Sequence, residues 1–447
     1  MRKKQVKRKK KKLIDNTLKT TPIGNNKRHT LNELKNLFGL DITSTDMVDT
    51  IDTLRKNKPN IIIGTCTNNF MFRQNNGPIQ KLQKKENYVM SLSVYANLEF
   101  DRYKTNPKTG LGVRNLKPAK IKFYDIYRPY EGQDLSNKTL LVMRTGGIGD
   151  LLFIQPNLIY LKNKYPTCKI VFASSAPYHP MLENWDCIDK VISLPFGAKI
   201  LYQSNYHLIF EGVIERTKEA HHINAYELFS KWMCLNLSKD LLRPIQPVRI
   251  DRYTEISQVL KNKFNIDDSS DKICTVQLKA SSPIRTPHPE QLWLPILKFI
   301  LSRGYKIVIV DNPALHEQIE NIINTYFGDI KDSLVNFVKY SKDISYAIAL
   351  ASMSEIVIGP DSSMVHIAES VGTKSFGIYG PFPGSIRLST YKYNSWIDCK
   401  ADCSPCFTHG HRPCIYGGQN GGCSPCYQNI NMSEFIKKFK ELEIRNV

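Results

Sequence analysis

The chain has 447 residues, of which 41% are hydrophobic and 23% charged, and it carries a formal net charge of +21. That length gives room for two or three domains and excludes a small disulfide-held scaffold. No apolar run approaches the roughly 18 residues needed to cross a bilayer, and no apolar stretch follows the charged start, so that start does not read as a secretory signal. The expected location is the cytoplasm, a host's cytoplasm for a viral chain, with peripheral attachment to the inner membrane as a variant.

Residues 1–28 open with MRKKQVKRKKKK, nine Lys or Arg with no acid. Such a block repels itself, has little to bury, and is expected to be a disordered tail. Its candidate partners are nucleic acid or an anionic membrane surface. Within 29–137, NIIIGT (60–65) reads as a strand and YVMSLSVYANLEF (88–100) as another, before a connection rich in Pro, Gly, Tyr and Lys. Nothing in this region suggests chemistry, and no role follows for it.

From residue 138 short apolar runs recur: 139–143, 169–173, 190–194 and 206–210, separated by helical or loop stretches. After a polar bridge they resume at 273–278, 305–310, 333–338, 355–359 and 375–380. This alternation predicts an α/β protein of βαβ units with parallel sheets buried on both faces. The expected layout is an N-terminal Rossmann-like domain (138–245), a linker (246–271) and a C-terminal Rossmann-like domain (272–447). A cleft lies between them, with ligands beyond the carboxyl ends of the strands.

The first chemical motif is TGGIGD, with Thr145, Gly146, Gly147, Gly149 and Asp150 directly after the strand LLVM. The spacing is a poor match to a dinucleotide fingerprint, and Asp150 occupies the helix N-terminus that would have to accept pyrophosphate. A carboxylate on a glycine-opened lip suits a general base, against the alternative of a plain helix cap. The second motif is EIVIGPDSSMVHIAESVG. Gly359-Pro360 ends a strand, and Ser362 and Ser363 open a helix whose N–H groups and hydroxyls can receive a diphosphate. Asp361 is expected to face sugar hydroxyls. Asp311 follows the strand IVIV where an acid commonly holds a ribose hydroxyl, with Glu317 as its competitor.

The run LLVMRTGGIGDLLFIQPNLIYLKNKYPTCKIVFAS resembles the opening of glycosyltransferase family 9, the ADP-heptose:lipopolysaccharide heptosyltransferases. EIVIGPDSSMVHIAESVGTKSFGIYGPFPGSIR resembles that family's donor signature, in the right order and about 210 residues later. The resemblance covers about 138–430. It implies a GT-B fold, Asp150 as catalytic base, and a donor site including His366 one turn into the second helix. Family members place a Lys a few residues before the proline of the segment LKASSPIRTPHPEQLW. Here Thr286 stands near that position, so the role passes to its neighbour Arg285, beside Ser281 and Ser282.

Six of the eleven cysteines (Cys399, Cys403, Cys406, Cys414, Cys423 and Cys426) crowd one segment, with His409 and His411. The two CSPC units suggest a structural zinc on Cys403, Cys406, Cys423 and Cys426, against reduced thiols packing the lobe or an iron–sulfur site. Family members often carry cysteines here, without requiring a metal.

Together these readings predict a metal-independent, inverting glycosyltransferase that needs no cofactor. It would move a heptose or hexose from an ADP-heptose-like nucleotide-sugar to a glycan or glycolipid of lipopolysaccharide type. No DxD motif is clearly placed after a strand. Two alternatives keep the basic tail in view: a transferase that modifies DNA, as a viral member would, or a non-catalytic nucleic-acid-binding protein.

Overall fold

A computed structural model of the chain describes residues 50–56, 61–67, 69–72, 79–91, 94–95, 116–121, 125–408, 414 and 424–445. The basic tail, His409, His411 and Cys423 lie outside the described residues. Strands are numbered in chain order: β1 Ile61–Cys66, β2 Phe70–Phe72, β3 Gln80–Leu82, β4 Asn87–Ser91 and β5 Leu116–Pro118. The next five are β6 Thr139–Met143, β7 Lys169–Ser174, β8 Lys190–Ser193, β9 Phe196–Gly197 and β10 Tyr206–Ile209. The last six are β11 Ile273–Val276, β12 Lys306–Ile309, β13 Leu334–Asn336, β14 Ile356–Pro360, β15 Lys374–Tyr379 and β16 Asn394–Asp398.

Two parallel sheets form the frame, one of order β10-β6-β7-β8 and one of order β13-β12-β11-β14-β15-β16. Every apolar run from 139 onward becomes a strand within a residue or two of its expected span. Among the strands of the two parallel sheets, β16 is not expected from periodicity, because NSWID offers only two apolar residues.

Alternation along β6 decides what lies on each face of the first sheet. Leu140 and Val142 enter the core built on the helix Ile148–Lys164. Leu141 and Met143 turn the other way, onto Ile61, Ile62, Ile63, Val89, Met90 and Leu116. Those residues belong to an antiparallel sheet of order β5-β1-β4-β9. The region without an expected role is therefore the second covering layer of the first sheet. Within it the expected strand 88–100 is cut to Asn87–Ser91, followed by a helical bend at Val94 and Tyr95. Val94 and Tyr95 both stay in the apolar core, so the bend continues the burial that the apolar composition signalled.

The bridge 246–271 also differs from a plain linker, since Ile250–Phe264 is a helix. It buries Ile256 and Leu260, keeps Asp251 in its first turn and Lys261 and Lys263 in its last, and ends on Asn265 in the left-handed region. A π-type turn over Pro289–Trp293 leads into the helix Leu294–Ser302.

The two halves share one apolar core, running from Leu151, Phe153 and Phe229 to Tyr346, Val365 and Tyr391. At this seam the Phe153 ring meets Tyr226 of its own half edge-on at 4.7 Å and, across the seam, His366 at 5.0 Å. The Tyr391 hydroxyl sits 2.5 Å from His366 Nδ1 and 3.1 Å from the Tyr226 hydroxyl. Tyr391→Phe removes one oxygen and leaves two buried groups without it, a cost of about 1–3 kcal/mol. Chemical denaturation should show that loss; an unchanged midpoint would mean this hydroxyl does not tie the halves together.

Candidate active site

The first lip of the cleft is built around Arg144, the residue after β6, whose side chain is nearly sealed from solvent. Its Nε donates to Gly146 O at 3.0 Å and one terminal nitrogen to Phe210 O at 3.0 Å, tying the turn to the end of β10. The same guanidinium donates to Glu215 at 2.6 Å and 3.2 Å and to Asp150 Oδ2. Glu211, just beyond β10, accepts from the Thr145 hydroxyl at 2.7 Å and from the Thr145 N–H. One guanidinium thus serves a lip carrying three carboxylates. Burial pushes the Asp150 carboxyl above its usual range, with Arg144 opposing and Glu215 reinforcing the rise. Glu211 is raised as well, again chiefly by burial.

The glycines of the turn are required by close contacts. A Cβ on Gly146 would fall 2.3 Å from the Tyr178 ring. Gly147 has φ +86°, and a Cβ there would fall 2.4 Å from Asp150 Oδ2. At Gly149 a Cβ would stand 2.9 Å from the His366 ring. The two motifs, distant in sequence, therefore touch at Gly149 and His366. His366 is buried against Phe153 and Tyr391, and burial drops its pKa to about 4, so the ring is neutral at the seam.

The second lip follows β14. Ser362 is the N-cap of the helix Ser363–Ser370, and its side chain makes no capping bond. Asp361 is buried between two arginines. Arg285 donates to the Asp361 carbonyl at 2.9 Å and lies 3.5 Å from its carboxylate, while Arg387 Nε lies 3.9 Å away on the other side. The carboxylate expected to meet sugar hydroxyls is held between cations. Ser282 is buried at the start of the turn that carries Arg285, and Ser281 is exposed. Gln277, beyond β11, accepts the Met364 N–H at 3.3 Å. Asp311 accepts the Asn312 N–H at 2.8 Å beside Gln277 and Lys279, and burial pushes it up to about 6.

Sequence reasoning missed Arg144, Glu211, Glu215 and Arg387. Arg144 and the acids of FEGVIER did carry a signal, being charged groups at the carboxyl ends of strands.

Among the described cysteines all are free thiols. Cys426 is buried, and a Cβ on Gly380 would fall 2.8 Å from its sulfur. Burial pushes its thiol up to about 12, with Cys406, Cys403 and Cys414 close enough to add to the rise. No group of three or more His, Cys, Asp or Glu among the described residues converges as a metal site. No described helix is long and apolar enough to cross a membrane.

Residues 216–414 match the family model of glycosyltransferase family 9 (heptosyltransferase). No curated protein matches the chain. Among solved structures, the fold is similar to a family 9 glycosyltransferase of Veillonella parvula DSM 2008, at 13% identity and a TM-score of 0.52, covering 70% of this chain and 99% of that one. It is also similar to E. coli ADP-heptose lps heptosyltransferase II, at 14% identity and a TM-score of 0.53, covering 69% and 98%.

The elevated carboxyl of Asp311 has a measurable consequence. Its folded pKa lies above the unfolded value, so the stability it contributes is full below pH about 4 and is lost as pH rises through about 6. Asp311→Asn should therefore be more stable than the parent by about 1–2 kcal/mol at pH 7 and show no gain at pH 4. Denaturation at the two pH values checks this, and an equal difference at both would remove the titration as its cause. By fold the chain is a GT-B-type protein, and its residues 216–414 match the model of glycosyltransferase family 9.

Proposed function

We propose that the chain is an inverting glycosyltransferase that moves a heptose or hexose from a nucleoside-diphosphate donor to a saccharide or lipopolysaccharide-type acceptor. The observation that carries this reading is the polarity of the cleft. An acid-rich lip bearing a half-buried Asp150 faces a lip where two guanidiniums share one carboxylate.

The donor's diphosphate fits against the N–H groups and hydroxyls of Ser362 and Ser363, with Arg285 beside them. Asp311, at the end of β12, suits a ribose hydroxyl. The acceptor hydroxyl enters along the Thr145–Gly149 turn. As its oxygen bonds to the anomeric carbon, the bond from that carbon to the diphosphate breaks and the proton passes to Asp150. Attack from the face opposite the diphosphate inverts the centre. Burial supports this role for Asp150, since a base works best with a pKa near the operating pH. Arg144 engages Oδ2, which leaves Oδ1 to take the proton. Negative charge grows on the departing diphosphate, where a helix N-terminus and a cation in a closed cleft contribute several kcal/mol. No step in this reading uses a cofactor. A structural zinc on Cys403, Cys406, Cys423 and Cys426 belongs to the proposal as a support for the C-terminal half, through the preference of thiolates for that ion.

Asp150→Asn should keep the fold and bind nucleoside diphosphate normally, while release of that diphosphate from nucleotide-sugars falls by roughly two to four orders of magnitude. Near-parental turnover would reduce Asp150 to an anchor for Arg144. Arg285→Ala should weaken nucleoside diphosphate binding far more than acceptor binding, read by calorimetric titration. An unchanged affinity would move the phosphate contact to another residue.

A further inference from the structure

We infer that Arg387 is a second cation of the donor site, reaching the donor's diphosphate from the side opposite Arg285; this rests on the transferase reading above. Arg387 sits on the short helix Gly384–Leu388, which follows β15. Its side chain is only 6% exposed, its guanidinium stacks over the Phe382 ring at 4.3 Å, and its nearest carboxylate, Asp361, stands 3.9 Å away. That distance is beyond a hydrogen bond. No acceptor among the described residues takes the N–H groups of this guanidinium.

A buried cation without acceptors is costly unless something charged joins it. Asp361 offsets only one of the two cations, because Arg285 and Arg387 share its single carboxylate at 3.5 Å and 3.9 Å. Two guanidiniums on one carboxylate leave the second lip with unmatched positive charge beside the N-terminus of the helix Ser363–Ser370. A diphosphate supplies the missing anion, with enough oxygens for both arginines and the helix N–H groups.

The placement is specific. Asn224, from the first half, donates to Ile386 O at 2.8 Å and Arg387 O at 3.2 Å, which fixes the short helix across the seam. The Phe382 ring holds the guanidinium plane from one face. Arg387 also lies close enough to stabilise the anionic form of Asp150. The same side chain therefore acts on both the departing diphosphate and the base.

The test compares binding of ADP, GDP, UDP and CDP, and of the matching monophosphate, to the full-length parent, Arg387→Gln and Arg387→Lys. The parent should prefer its diphosphate over the monophosphate. Arg387→Gln should lose at least tenfold in diphosphate affinity and most of that preference, with monophosphate binding nearly intact. Arg387→Lys keeps the charge and should recover part of the loss, which also covers the case in which the glutamine variant folds poorly. Equal diphosphate affinity in parent and Arg387→Gln overturns the inference while leaving the transferase reading standing. Equal loss for diphosphate and monophosphate, unrelieved by lysine, makes Arg387 a packing residue and overturns it too. A parent that binds none of the four diphosphates sinks both readings.

Discussion

The buried guanidinium of Arg144 is the constraint on which the first half of the cleft depends. It binds the glycine turn, the end of β10, Glu215 and Asp150 at once. A charge this deep is tolerated only with its donors engaged, and here the partners come from two segments, the turn at 146–150 and the stretch 210–215. Removing one partner would unsettle the others, so the position of Asp150 is over-determined. The glycines follow from the same arrangement, since the turn must pass between Tyr178, Asp150 and His366 with no side chain of its own.

The second constraint is the seam. In many two-lobed proteins the interface is polar and modest, and the lobes rotate about it. Here Phe153, Tyr226, His366 and Tyr391 close a buried aromatic box, and Gln246 N–H donates to Ser370 O at 2.8 Å. Opening such a seam would expose apolar surface at roughly 25 cal/mol per Å². Ligand entry is cheaper through the loops at the lips than through rotation of the halves.

The frame of the protein was legible from periodicity alone, because strands buried on both faces must be continuous apolar runs, and TLLVM, KIVI and IVIGP are such runs. The glycine turn and the GPDSS helix start were legible for a similar reason, as few residues can stand there. What could not be read was the pairing between distant segments. Nothing local in VIER says that Glu215 will meet Arg144, and nothing in GSIR says that Arg387 will be buried over Phe382. β16 escaped because its burial comes from β15 and the C-terminal helix Met432–Glu443 rather than from its own composition. The bridge reads as polar because only one stripe of the helix Ile250–Phe264 is buried.

The antiparallel layer over the first parallel sheet bears on how the chain acquires its shape. Its strands β1, β4 and β5 precede the sheet they cover, and β4 also takes β9 as an edge neighbour, pairing Val89 with Phe196. During synthesis these strands emerge before the sheet they cover, and their isoleucines wait for Leu141 and Met143 of β6. Contacts so distant along the chain close slowly, and exposed strands are prone to pair with the wrong partner meanwhile. The lysines at Lys81, Lys84 and Lys85, all exposed near these strands, are charges of the sort that discourage such mispairing. Folding of this chain therefore requires β1, β4 and β5 to find partners made after them.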